Sequence, residues 1–347
     1  MIMTLRKEVE LRSTELPNTS IETIYFGGGT PSVLEAREIE VLIETVYTHF
    51  KVSYDPEITL EANPDDLFEK KILELSNTRI NRLSIGIQSF SDMDLKLMNR
   101  AHNGEEAHRC LENASSYFEN ISIDLIYGIP KMTDERWQEN IERALGYNMA
   151  HISAYALTVE PKTALERFIQ EGKMANVDDE QAERQFHQLR DILEEEGYVN
   201  YEISNFGKPG FFSKNNTAYW QGKPYLGIGP SAHSFDGNRR GWNIRNNLKY
   251  IKALRQQQLP ITYEILTTRD RYNEYVMTGL RTIWGVSRET IRKEFGSSYE
   301  NYLTEHSEKY VRQHLLFWDG DVLLTTKRGK FLADGIASDL FMINLNS

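Results

Sequence analysis

Cysteine is nearly absent. Cys110 is the only one in 347 residues, so no internal disulfide can form and no metal site can be built on three thiolates. Long apolar runs are missing too, and none approaches the ~20 residues that a membrane-spanning helix needs. A positive excess is absent: 40 Lys and Arg face 51 Asp and Glu, a net charge of −11. A surface that binds nucleic acid needs the opposite sign, so nucleic acid is not expected as a partner. The cluster Lys327-Arg328-Gly329-Lys330 is a local exception. The first residues, Met1-Ile2-Met3-Thr4-Leu5-Arg6-Lys7-Glu8, turn charged at once, unlike the apolar core of a secretory leader. Together with the lone cysteine, that sets the cytoplasm as the expected location. There is no internal repeat and no low-complexity segment.

What is present is an ordinary globular composition, 26% charged and 40% hydrophobic, in a chain long enough for one large domain and a smaller one. Short β-branched or apolar runs predict strands over Ile21–Phe26, Glu57–Ala62, Arg82–Gln88, Ile121–Tyr127 and His151–Val159. Helical periodicity lies between them, over Glu35–Phe50, Leu67–Leu75, Asp92–Met98, Gly104–Tyr117 and Asp134–Leu145. Alternation of this kind reads as parallel βα units, with the polar motifs in the loops that follow the strands. That is the layout of a β/α barrel, whose sites gather at the carboxyl ends of its strands. The order begins with a helix, Met3–Glu15, where a barrel should begin with a strand. The expected fold is therefore α/β: a partial (β/α) barrel missing its first strand and a segment of roughly thirty residues.

After Val159 the pattern changes. Asp178–Glu196 is a long amphipathic helix, and Tyr198–Phe206 and Tyr225–Phe235 are strand-like. From about Tyr263 a second region begins. It carries helices over Arg271–Leu280, Ser287–Phe295 and Tyr299–Gln313, then a hairpin from Leu315–Trp318 to Val322–Thr326 with its turn at Asp319-Gly320. Helices followed by a hairpin suggest a small winged-helix-like α+β module. The expected division is a barrel core over 1–160, a barrel-completing extension over 161–262, and the module over 263–347.

Several residues could carry chemistry. Gly27-Gly28-Gly29 lets the backbone turn sharply and approach a ligand closely, although a strand-to-helix turn explains the triplet by itself. Thr30-Pro31-Ser32 suits a helix start. Glu61 ends a strand, where its carboxylate can accept two hydrogen bonds from vicinal hydroxyls; a solvated loop glutamate is the plainer reading. Gln88 sits in an apolar strand on the same face as Gly86, and a buried carboxamide needs partners. Arg100 follows a helix, and its fork can clamp a carboxylate or form a surface ion pair. Asp124 lies between Ile123 and Leu125, where an acid without a partner is costly, so a functional role is favoured. Cys110 is expected to be a packing residue. His233, in the glycine-rich run Gly227–Phe235, can bind an iron or a carboxylate, or be held as a loop histidine. His102 lies beside Arg100.

Taken together, these motifs resemble the radical-SAM family of oxygen-independent coproporphyrinogen III oxidases and the related heme chaperone HemW. The resemblance runs from about Leu5 to Phe341. It implies that Gly28, Gly29 and Thr30 hold the methionine amino group of S-adenosylmethionine. It also implies that Glu61, Gln88, Arg100 and Asp124 hold the ribose and the methionine carboxylate, with Ala156 near the adenine. Tyr201-Glu202-Ile203-Ser204-Asn205-Phe206, Tyr219-Trp220 and Tyr225–Pro230 look like the chaperone branch, as does Glu160-Pro161-Lys162-Thr163, with Lys162 in place of a glycine.

The departures from the family carry weight. Its CxxxCxxC loop, expected before Leu5, is absent, so the [4Fe-4S] cluster belongs to the complete family protein and this chain as given is expected to be inactive in radical chemistry. A coding start at an internal Met1 or Met3, or trimming, explains the gap better than true loss. The chaperone's His-Asn-x-x-Tyr-Trp motif reads Asn215-Asn216-Thr217-Ala218-Tyr219-Trp220 here. Asparagine is not a usual axial ligand for heme iron, which leaves His233, with Tyr219 and Trp220, as the candidate heme site. Three functions compete. One is a chaperone that binds S-adenosylmethionine and heme or porphyrin and passes heme to an acceptor protein not named by the sequence. The second is an oxidase that decarboxylates coproporphyrinogen III. The third is a non-catalytic interaction domain that keeps only the fold. Oligomerisation stays open.

Overall fold

The computed structural model describes residues 1–16, 19–172 and 175–343. The chain opens with helix α1 (Ile2–Leu11), strand β1 (Ile21–Phe26), helix α2 (Ala36–His49) and strand β2 (Val52–Ala62). Helix α3 (Glu69–Ser76), β3 (Arg82–Gln88), the short α4 (Asp92–Leu97), α5 (Gly104–Ser115) and β4 (Ile121–Tyr127) follow. Then come α6 (Asp134–Gly146), β5 (His151–Ala156), α7 (Ala164–Gln170), α8 (Asp179–Glu195), β6 (Val199–Glu202) and β7 (Asn205–Gly207). These strands form one curled half-barrel sheet in the order β1-β2-β3-β4-β5-β7-β6. Pairing is parallel from β2 to β5 and antiparallel at β7 and β6.

Each parallel strand alternates. On β3, Leu83, Ile85 and Ile87 are buried, and on β4 so are Ile121, Ile123 and Leu125. The intervening positions are Ser84, Gly86 and Gln88 on β3, and Ser122 and Asp124 on β4. A parallel sheet covered by apolar helices on both faces would be apolar throughout. Here the period of two leaves one face polar, and the site-bearing residues stand on it. The helices supply the other layer. Helix α5 begins with a capping box, in which Asn103 accepts from the Glu106 N–H and the Glu106 carboxylate accepts from the Asn103 N–H. It buries Ala107, Cys110, Leu111 and Ala114, spaced on one face.

The remainder holds α9 (Lys214–Trp220), β8 (His233–Phe235), β9 (Arg239–Asn243), α10 (Asn247–Arg255) and β10 (Ile261–Ile265). Strands β8, β9 and β10 form an antiparallel sheet in the order β10-β9-β8. After them come α11 (Thr268–Leu280), β11 (Val286–Ser287), α12 (Arg288–Glu294), α13 (Ser297–Arg312), β12 (Leu316–Asp319), β13 (Val322–Thr325), α14 (Lys327–Phe331) and α15 (Ala333–Asp339). This is the small α+β module. Tyr272, Val276, Leu280, Ile291, Leu303, Leu316, Leu323 and Ile336 fill its core.

The chain divides into two compact units. One comprises residues 22–43 and 54–213; the other comprises 1–21, 44–53 and 214–347. In the second unit α1 is anchored by a buried pair, Glu8 and Arg12. Glu8 accepts from Arg12, from the Gly229 N–H, from Asn243 and from the Tyr250 hydroxyl. Arg12 also donates to the Gly227 carbonyl at 2.7 Å and to Ser234 at 3.0 Å. A buried ion pair is tolerable when its remaining donors and acceptors are met in this way.

Some expectations on element bounds need correction. Strand β2 begins at Val52, five residues before Glu57, because its first part runs exposed past the buried stretch. Strand β5 ends at Ala156. Tyr225–Phe235 is not a strand: Tyr225 and Phe235 form an isolated bridge, and between them the glycines turn the chain back on itself. A Cβ at Gly227 would overlap the His233 carbonyl. In the β12–β13 hairpin Asp319 pairs with Val322, so the turn residues are Gly320 and Asp321, with Gly320 at φ +57°.

Candidate functional site

The polar ends of β1 to β4 meet around Glu61. Its two carboxylate oxygens are both engaged: the Tyr25 hydroxyl donates to Oε1 at 2.7 Å, and the Gly28 N–H donates to Oε2 at 3.1 Å. The three glycines do different work. A Cβ on Gly27 would stand 2.5 Å from Tyr25 Cε1 and 2.8 Å from Glu61 Oε1, so Gly27 makes room for that pair. Gly28 and Gly29 have open space but positive φ, +74° and +116°, which side chains resist. Thr30 is exposed and precedes a single 3-10 turn, Pro31–Val33, with proline in its first position.

Register carries the site across the sheet. Glu61 pairs with Ser84, Ser84 with Ser122, and Asp124 with Ser153. The Ser84 hydroxyl lies 3.5 Å from Asp124 Oδ1. Burial pushes the Asp124 carboxyl up to about 7, and the charge of Glu61 adds to it against the hydrogen bonds of Ser153 and Ser84. The Tyr25 phenol is also pushed up, first by burial and then by Glu61, so it remains a hydrogen-bond donor.

A second cluster forms at the end of β3. The register between β3 and β4 slips between Ile85 and Gln88, and Gln88 takes the left-handed region at φ +67°. A Cβ on Gly86 would stand 2.8 Å from Gln88 Nε2 and 3.3 Å from Arg100 Nη2. The glutamine and the arginine thus lie together against the bare Cα of Gly86. Arg100 Nη2 donates to Asn63 Oδ1 at 2.8 Å and to the Gly86 carbonyl at 3.3 Å. Among the described residues Arg100 forms no ion pair and the Gln88 carboxamide no hydrogen bond. His102 is buried next to this cluster and bonds the Ile87 carbonyl at 3.1 Å.

Of the residues singled out in the sequence, Gly28, Glu61 and Asp124 therefore come together, as do Gln88 and Arg100. Asn63, two residues on from Glu61 and just past the end of β2, joins the two clusters. Ala156 ends β5 opposite Tyr127. The residues not singled out in the sequence are Tyr25, Asn63, Ser84 and Ser153. Tyr25 lies in the strand predicted over Ile21–Phe26 and Asn63 lies two residues past Glu61, and their side-chain chemistry was the available signal.

His233, Tyr219 and Trp220 belong to the other unit. His233 is exposed on β8 and pairs with Trp242 across to β9, with ring centroids 6.4 Å apart. Phe235 shares its face of the strand. Tyr225 lies 6.2 Å from Phe235 and 4.4 Å from Tyr219, which continues the aromatic surface. Trp220 is covered by the Arg281 guanidinium at 5.0 Å.

The residues present do not fit an iron–sulfur cluster. Cys110 is buried in α5, and burial pushes its thiol up to about 12, far from a thiolate. Among the described residues no three metal-binding side chains gather in one place. Nor is any described helix long and apolar enough to cross a membrane.

A one-sided parallel half-barrel with glycine, carboxylates, amide and guanidinium gathered at its strand ends is the class of architecture that radical-SAM proteins use. The Radical SAM superfamily profile matches residues 6–144, and the HemN C-terminal domain profile matches 266–332. The chain is 32% identical to the heme chaperone HemW of Lactococcus lactis over 97% of its own length and 88% of that protein. It is 33% identical to the Bacillus subtilis HemW, over 91% and 84%. Its fold is similar to that of the Escherichia coli coproporphyrinogen III oxidase HemN, a radical-SAM enzyme, with a TM-score of 0.84 at 22% identity over 98% of this chain and 82% of that one. The chain belongs to the HemW/HemN-like family of radical-SAM proteins.

Proposed function

We propose that this protein is a HemW-like heme chaperone that binds S-adenosylmethionine and heme and delivers heme to an acceptor protein. The observation that carries the nucleotide half is the pairing of an arginine without a carboxylate partner and a glutamine without a hydrogen bond against Gly86, beside the Glu61–Asp124 pair. Arg100 and Gln88 would take the methionine carboxylate, Glu61 and Asp124 the ribose hydroxyls, and Gly28, Gly29 and Thr30 the amino group, with Ala156 beside the adenine. The residues of this chain would bind and orient the molecule.

The heme half rests on the exposed His233 and its aromatic neighbours. Asn215 stands where the family motif has histidine, and a neutral imidazole is the stronger ligand for heme iron. In this reading residues 1–160 serve the nucleotide, 161–262 present heme, and 263–347 form a lid or partner surface. The alternative is the decarboxylating oxidase of the same family, and the identity of 32% and 33% to HemW chaperones favours the chaperone over it.

The nucleotide half is tested by calorimetry on Arg100→Ala. Loss of a charge-assisted bond is expected to weaken S-adenosylmethionine binding by about 1.5–3 kcal/mol. Unchanged affinity would remove Arg100 from the site. The heme half is tested by titration with heme followed by absorbance. The Soret band of the wild type should shift, and His233→Ala should lose the shift. A wild type with no shift would sink the chaperone reading.

A further inference from the structure

We infer that Tyr25 is a positioning residue that sets the orientation of Glu61, and through it the recognition of the ribose. This rests on the adenosyl reading given above. Glu61 is half-buried at a strand end, and a glutamate there has three side-chain torsions to fix. Two donors fix them. The Tyr25 hydroxyl holds Oε1 at 2.7 Å, and the Gly28 N–H holds Oε2 at 3.1 Å. Each carboxylate oxygen has two lone-pair directions, so each keeps one open after accepting these bonds. The pair of open directions is what vicinal hydroxyls, donating side by side, require.

The arrangement is built in. Tyr25 and Glu61 both press on the Cα of Gly27, where a Cβ would meet Tyr25 Cε1 at 2.5 Å and the Glu61 carboxyl carbon at 2.9 Å. Tyr25 comes from β1 and Glu61 from β2, neighbours in the sheet, so the backbone brings the phenol to the carboxylate. Burial and the charge of Glu61 keep the phenol protonated, so it has a proton to donate to the carboxylate.

The test is calorimetric binding of 5′-methylthioadenosine, and of its analogue lacking the ribose hydroxyls, to wild type and Tyr25→Phe. Tyr25→Phe should weaken binding of methylthioadenosine about 3- to 10-fold, the effect of one hydrogen bond. Binding of the deoxygenated analogue should not change. A further pair, Glu61→Ala with and without Tyr25→Phe, removes the acceptor outright, and there Tyr25→Phe should have no further effect, because the tyrosine acts through the glutamate. If Tyr25→Phe matches wild type, or if its loss persists in the Glu61→Ala background, the role of Tyr25 is overturned while the adenosyl site stands. A wild type that binds neither compound overturns the adenosyl reading and this inference with it. Should Tyr25→Phe fail to fold, Gly27→Ala displaces the same pair from the other side. It should show the same selective loss, and unchanged affinity would overturn the role.

Discussion

Glu61 near the end of β2 and Asp124 on β4 stand on one face of the sheet with β3 between them, and the charge of Glu61 adds to the cost of ionising Asp124. Asp124 bears the burden, with burial the larger cause. Its carboxyl titrates near 7 in the folded chain and in the ordinary carboxylate range when unfolded. Between those values the folded state holds a proton that the unfolded state has released. Stability contributed by this group is therefore complete at acid pH, falls as pH rises through that window, and is absent above about pH 7. Asparagine has the same shape and no charge. Asp124→Asn should stabilise the protein by about 1–3 kcal/mol at about pH 8, and should gain little at about pH 4. Urea denaturation at both values checks this. Parallel curves for the two proteins would mean that Asp124 titrates as an ordinary surface acid.

At the scale of the element, the end of β3 is the distinctive piece. A bulge and a left-handed glutamine break a strand that otherwise alternates cleanly. Alanine is normally at least as good as glycine in a strand, but not at positive φ, where its Cβ crowds the carbonyl. Gln88→Gly should therefore be more stable than Gln88→Ala by about 1 kcal/mol. Both should bind S-adenosylmethionine more weakly than wild type. Thermal denaturation of the two variants decides the first point, and an alanine variant equal to or above the glycine variant would show that no strain is stored there. The sequence placed Gln88 beside Gly86 through simple alternation. The structure brings them together through the bulge, which no periodicity announces. Bounds of β1, β3 and β4 were legible because the strands are short, apolar on one face and closed by Gly, Ser or Asn. The start of β2, where the exposed Tyr54 and Asp55 precede the buried Pro56, carries no such pattern. Strands β9 and β10 were missed because Arg239, Arg240 and Glu264 give their exposed faces the look of loop.

At the scale of the whole molecule, the order of motifs was enough to find the family, because each motif falls at a strand end that the sheet then sets side by side. Positioning residues such as Tyr25 and Asn63 were not found that way: their role depends on which atom they reach, and that is a matter of register. The single cysteine has the firmest consequence at this scale. In the function proposed above, S-adenosylmethionine is held by the strand-end residues, whereas its reductive cleavage needs an iron–sulfur cluster on three thiolates. The two properties should separate. After treatment with iron and sulfide, these 347 residues should retain no stoichiometric iron on gel filtration. With a strong reductant they should form no 5′-deoxyadenosine, while calorimetry still detects S-adenosylmethionine. Cys110→Ser should change none of these results, because the thiol is buried and protonated. Deoxyadenosine formation that disappears in Cys110→Ser would show that the lone cysteine recruits iron chemistry after all, and the division between binding and cleavage would fall.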